Sequence, residues 1–167
     1  MILLKKFYPL FIPFLLSFSQ PLLAMCQAGN PNTSLVEDTP NSAFTTSTTT
    51  ATHSLTGLVW DRCGLGQTWN NGTNNCDGVT NLYIWQNALK EAKTHNDINY
   101  LGFNDWRLPN KKELESIIEN CGTTPAINKT IFPSTVSSSY WSSSPSVANP
   151  WPHTDCFNLH PMSTQGV

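Results

Sequence analysis

The chain has 167 residues and a formal charge of −2, and only 12% of its side chains are Asp, Glu, Lys or Arg. Asn, Ser and Thr account for 52 residues, so polarity is carried by neutral amides and hydroxyls, as suits an exported protein. Nucleic-acid binding needs clustered Lys and Arg against phosphates, and the one adjacent basic pair beyond Lys6 is Lys111-Lys112, which sets that class aside.

Residues 1–24 place Lys5 and Lys6 ahead of an apolar run from Leu10 to Ala24, the layout of a secretory signal peptide. Without it the chain carries seven basic and eleven acidic residues, a charge of −4. No later stretch approaches the roughly 18 apolar residues that span a bilayer. The expected location is therefore secreted, periplasmic or at the cell surface. Ala24 and Cys26-Gln27-Ala28 both offer signal-peptidase end points. Lipidation of Cys26 is the alternative, against which Met25 stands where a small residue is required.

Residues 25–54, ending in the run Thr45-Thr46-Ser47-Thr48-Thr49-Thr50-Ala51-Thr52, read as a flexible spacer. The globular unit is expected over 55–167. Leu55–Trp60 is an apolar strand, and Gly64–Gly78 a loop rich in Gly and Asn. Thr80 or Asn81 caps a helix to about Lys93, whose inner face is Leu82, Trp85, Ala88, Leu89 and Ala92. Trp106-Arg107-Leu108 is a very short strand stopped by Pro109. Asn110 with Glu113 forms a capping box for a second helix that buries Leu114, Ile117 and Ile118 and ends at Gly122. Ser139–Ser144 is a further strand, with small hydroxyl residues around Tyr140 and Trp141.

These elements make an α+β domain with a thin core, for which covalent staples matter. Cysteines of an exported chain are presumed paired. Cys63 and Cys76 are the first choice, across a closed loop worth roughly 3 kcal/mol; Cys121 and Cys156 are left as the second pair, and Cys26 makes the count odd. The closely spaced cysteine pairs of a zinc site are missing, and no metal or cofactor is expected. No metalloprotease, nucleophile-elbow, P-loop or EF-hand motif occurs. His153 and Asp155 read as loop residues in preference to an acid/base pair. Arg107 reads as a partly buried cation paired with a nearby carboxylate.

Four blocks carry a resemblance. Leu55-Thr56-Gly57-Leu58-Val59-Trp60-Asp61-Arg62-Cys63 with Gly66-Gln67-Thr68-Trp69 comes first, then Asn104-Asp105-Trp106-Arg107-Leu108-Pro109-Asn110-Lys111-Lys112-Glu113-Leu114. Pro125-Ala126-Ile127-Asn128 with Ile131-Phe132-Pro133, and Tyr140-Trp141-Ser142-Ser143-Ser144, complete the set. Together they resemble the Lcl C-terminal domain family, named for the C-terminal domain of a bacterial collagen-like adhesin. The resemblance implies a C-type-lectin-like fold: two helices on small twisted antiparallel sheets, with long loops forming a ligand face. Trp60, Trp106, Arg107, Glu113 and Trp141 are its structural signature here.

The adhesin domain binds sulfated glycans, which needs a basic patch, and this acidic chain does not offer one. The calcium-dependent sugar motif of true C-type lectins is missing too; Asn149-Pro150 brings no carboxylate. Where the family continues through an aromatic strand to a closing strand, Trp151–Phe157 is interrupted by Pro152, and the domain reads as truncated. The expected function is a non-enzymatic binding module, adhesin- or lectin-like, for a glycan or a cell-surface protein, and self-association is compatible with it. Trp69, Tyr140, Trp151 and Asn149 are the candidate ligand residues. An enzyme related to the formylglycine-generating fold, or a degenerate paralogue, is the alternative.

Overall fold

The computed structural model describes residues 3–6, 37–120 and 124–144, together with the backbone of 156–158. Cys26, Cys121, Asn149, Trp151, His153, Asp155 and the Cys156 side chain lie outside the described residues, and with them the expected second disulfide.

The main sheet is antiparallel and has four strands: β1 (Leu4–Lys6), β2 (Phe44–Thr46), β3 (Thr50–His53) and β4 (Leu58–Asp61), in the order β1-β4-β3-β2. All four residues of β4 are buried, and alternation along the strand divides them between two cores. Leu58 and Trp60 join Phe44, Ala51, Ile127, Ile131 and Phe132 on one side. Val59 joins Leu65, Trp106 and Leu108 on the other. Helix α1 (Trp85–Asp97) supplies Ala88 and Ala92 to the second core, and α2 (Lys111–Glu115) supplies Leu114 to the first, followed by Ile117. The sheet is thus covered on both faces, an α+β arrangement. A hairpin of β5 (Gln67–Asn70) and β6 (Asn75–Gly78) and a pair of β7 (Ser139–Trp141) with β8 (Cys156–Asn158) complete it.

Several expectations change. The Thr-rich run expected as spacer is part of the sheet. Its β-branched residues suit a pleated surface, and Thr50, Ala51 and His53 are buried in β3. The turn before β3 is closed by Ser47, whose N–H donates to the Thr50 carbonyl, and by a hydrogen bond between the Ser47 and Thr50 hydroxyls. Residues just ahead of it are held as well: the buried Glu119 carboxylate accepts from the Thr39 N–H at 2.9 Å, the Thr39 hydroxyl and the Asp38 N–H.

β1 lies inside the segment expected as a leader, with Leu3 and Leu4 fully buried. The strand expected from Leu55 begins at Leu58, because Gly57 turns the chain with φ of 64° and Leu55 is exposed. The expected Gly/Asn loop is the β5–β6 hairpin, stapled by the Cys63–Cys76 disulfide. Helix α1 starts later and runs further than its capping signals implied. Ile84 is its N-cap with no side-chain cap, and Leu82, expected on the inner face, is 94% exposed.

Arg107 forms only an isolated bridge to Leu4, so Trp106-Arg107-Leu108 is not a regular strand. The α2 capping box is present: Asn110 accepts from the Glu113 N–H, and Glu113 accepts from the Asn110 N–H. That helix is shorter than expected, stopping at Glu115. β8 overlaps the end of the aromatic segment whose interruption implied truncation.

Candidate functional site

Two of the four sequence-derived ligand residues lie among the described residues, on different elements. Trp69 lies on the β5–β6 hairpin, Tyr140 lies on β7, and Trp151 and Asn149 are outside the described residues. Two hollows show what the first two can do.

Trp69 borders a hollow of about 190 Å³, lined also by Thr49, Asp61, Gln67, Thr68, Tyr100 and Leu101. The Arg62 guanidinium lies 3.9 Å from the Trp69 ring centroid. Arg62 is itself fixed by donating to the carbonyls of Ile131, Ser47, Thr48 and Thr130, so one face of the indole is already covered. The Trp69 Nε1–H donates to Asn71 Oδ1.

Asp61 is the acid among the described lining of that hollow and is almost completely buried. Burial pushes its carboxyl from 3.8 up to about 6, against the opposing effect of hydrogen bonds from the Cys63 N–H and the Tyr100 hydroxyl. The Tyr100 phenol is in turn raised well above its usual range, first by burial and then by the Asp61 charge. Both carboxylate oxygens are engaged, Oδ1 by Cys63 and Oδ2 by Tyr100. Nearby, Asn99 and Leu101 hold φ of 51°, a region L residues enter at a cost on the order of 1–2 kcal/mol.

The second hollow, of about 220 Å³, is a groove between Thr80–Tyr83 and Val136–Trp141. Its two walls are tied together: the Trp141 Nε1–H donates to the Tyr83 carbonyl at 2.7 Å, and the Trp85 Nε1–H donates to the Ser142 carbonyl at 3.1 Å. The Asn81 amide donates to the Tyr83 hydroxyl at 3.1 Å, while the Tyr140 hydroxyl donates to the Val136 carbonyl. Tyr140 is buried, so it forms the floor and presents little ring surface to a ligand. Leu82 and Val136 stand exposed at the rims. Thr80, Asn81, Tyr83, Ser138 and Ser139 supply hydroxyls and an amide, and among the described residues no charged one lines the groove.

The groove's position depends on Gly66, which has φ of 97°. The Leu65 carbonyl beside it accepts the Asn81 N–H at 2.7 Å. A Cβ at Gly66 would lie 2.7 Å from both Asn81 Oδ1 and the Val79 carbonyl oxygen, a clash in a backbone region that already favours glycine.

The signature residues are placed as structural parts. Trp60 and Trp106 are buried, and Trp60 Nε1 has no hydrogen-bond partner among the described residues. Trp141 is half-buried at the groove. Arg107 pairs with both Glu113 oxygens, at 2.8 and 2.5 Å, and that pair with its hydrogen bonds raises the guanidinium pKa. The sequence reading missed Asn81, Tyr83, Ser138 and Ser139 as groove residues. Thr80 or Asn81 is the expected helix cap, and a groove partner for Ser138 far away in the chain leaves no local pattern.

Among the described residues, no group of His, Cys, Asp and Glu is placed to hold a metal ion, and no helix is long and apolar enough to cross a membrane. No curated protein and no solved structure matches the chain. The family model of the Lcl C-terminal domain matches residues 49–162. That span begins inside the Thr-rich run and takes in β3, β4, both helices and the groove, and on its extent the chain belongs to the Lcl C-terminal domain family.

Proposed function

We propose that the protein is an exported, non-enzymatic binding module of adhesin type and C-type-lectin-like architecture, whose ligand is a neutral carbohydrate held in the Thr80–Tyr83/Val136–Trp141 groove. The observation that carries this is the groove's lining of hydroxyls, an amide and aromatic edges, with no charged side chain among the described residues. Sugars are bound by such sets: hydrogen bonds from amides and hydroxyls fix orientation, and aromatic and apolar surfaces take the C–H faces. A sulfated ligand would find no cation among the described lining residues to meet its charge. The engagement of both Asp61 oxygens supports a structural role for that acid over general acid/base work.

A glycan array probed with the purified protein, with and without calcium, tests this. Neutral glycans are expected to bind, and Asn81→Ala and Tyr83→Phe to weaken binding by about tenfold each with unchanged circular dichroism. Binding confined to sulfated glycans, or a neutral hit indifferent to both substitutions, would refute it.

A further inference from the structure

β1 is bounded on every side. Its inner edge pairs with β4, Leu4 opposite Trp60 and Lys5 opposite Val59. Its outer edge exchanges two backbone hydrogen bonds with Arg107, Leu4 N–H to the Arg107 carbonyl at 3.1 Å and Arg107 N–H to the Leu4 carbonyl at 3.0 Å. Its two faces enter different cores: Leu4 packs with Trp60 and Leu114, whereas Leu3 packs with Val59, Trp106 and Ala88. Lys5 then lies 3.4 Å from Asp105 and 4.0 Å from the centre of the Phe103 ring. This is the environment of a central strand, yet residues 3–6 belong to a segment with the composition of a secretory leader. A chain that lost its leader would lose a strand from between its two cores, exposing apolar surface on both faces and unpaired backbone groups on β4 and Arg107.

We propose that the slot between β4 and Arg107 is a strand-accepting site, which in the leader-free protein takes an extended segment of another polypeptide by strand addition. Backbone pairing supplies affinity and the two cores and Asp105 supply selectivity. The segment's chemistry follows from what the slot holds: two consecutive apolar residues, one for each core, followed by a Lys or Arg for Asp105 and Phe103. This site is separate from the carbohydrate groove, and its test does not depend on glycan binding.

The test uses the full chain, expressed with export and purified, its N-terminus read by mass spectrometry, and the probe is a peptide of residues 1–7. Loss of the leader is expected. The peptide should then bind with a dissociation constant below about 100 µM and raise the melting temperature by about 5–10 °C. A peptide carrying Leu4→Asp should not bind, and Asp105→Ala should weaken binding severalfold. If the leader-free protein is poorly folded alone, recovery of its near-ultraviolet circular dichroism on adding the peptide supports the proposal equally. Residues 1–7 retained in the folded product, equal response to both peptides, or no response to either would overturn it.

Discussion

The Tyr100 hydroxyl donates to Asp61 Oδ2 at 3.0 Å, linking the end of β4 to the chain after α1 across 39 positions of sequence. Burial dominates over this bond, since the Asp61 carboxyl rises from 3.8 to about 6. The folded protein therefore keeps a proton that the unfolded chain releases between those two values. The contribution of this group to stability is present in full below about pH 3.8 and is lost as pH rises through about 6. Such a shift corresponds to about 3 kcal/mol. Asp61→Asn removes the titration, so its melting temperature relative to the unsubstituted protein should climb by several degrees from about pH 4 to about pH 7. Thermal melts across that range check it, and a difference independent of pH would contradict it.

Glu113 serves two partners at once, the Asn110 N–H and the Arg107 guanidinium. Substitution separates them. Glu113→Gln keeps an acceptor for the cap and loses the charge, and with Arg107 partly exposed it is expected to cost about 1 kcal/mol or less. Glu113→Ala loses both, with an expected cost of about 2 kcal/mol. Urea unfolding of the two variants measures the gap; equal midpoints would show that the cap contributes nothing.

The Cys63–Cys76 disulfide closes a loop with a sequence separation of 13 around the hairpin. Its removal by the paired change Cys63→Ala and Cys76→Ala should lower stability by about 3 kcal/mol. Because the bridge spans only the hairpin side of the second core, amide exchange should accelerate most in β5 and β6. Uniform acceleration through the main sheet would point to global unfolding instead.

Glu119 receives its hydrogen bonds from residues 80 and 81 positions earlier in the chain. Glu119→Ala should leave the Thr39 N–H unpaired, cost about 2 kcal/mol and speed exchange of the Asp38 and Thr39 amides ahead of those in β3. Unchanged exchange at Thr39 would place the anchor of this segment elsewhere.

The sequence was most legible where chemistry is local. The Asn110/Glu113 capping box, the Cys63–Cys76 loop and the buried Trp60 and Trp106 follow from spacing or residue type. It was least legible where tertiary contacts override composition. The Thr run looks like a linker by polarity, but β-branched residues become strand once a neighbouring strand offers pairing, and β4 provides it. Leu82 fits the helical period of α1, yet it lies ahead of the helix, beside the Asn81 N–H that donates to the Leu65 carbonyl, and stands exposed at the groove rim. Of the ligand residues expected from aromatic content, Tyr140 is the groove floor and Trp69 has one face covered by Arg62, while Thr80, Asn81, Ser138 and Ser139 join the groove without carrying any motif.

Gly66 gives the groove an unusual dependence. It lines no part of the groove, but the space it leaves empty is where Asn81 and the Val79 carbonyl sit. Groove shape is therefore set partly from the turn just ahead of the β5–β6 hairpin, by a residue outside the lining. Grafting residues 64–78 of another family member into this chain would transplant groove shape along with them, whereas exchanging only the lining residues would leave the old contour in place.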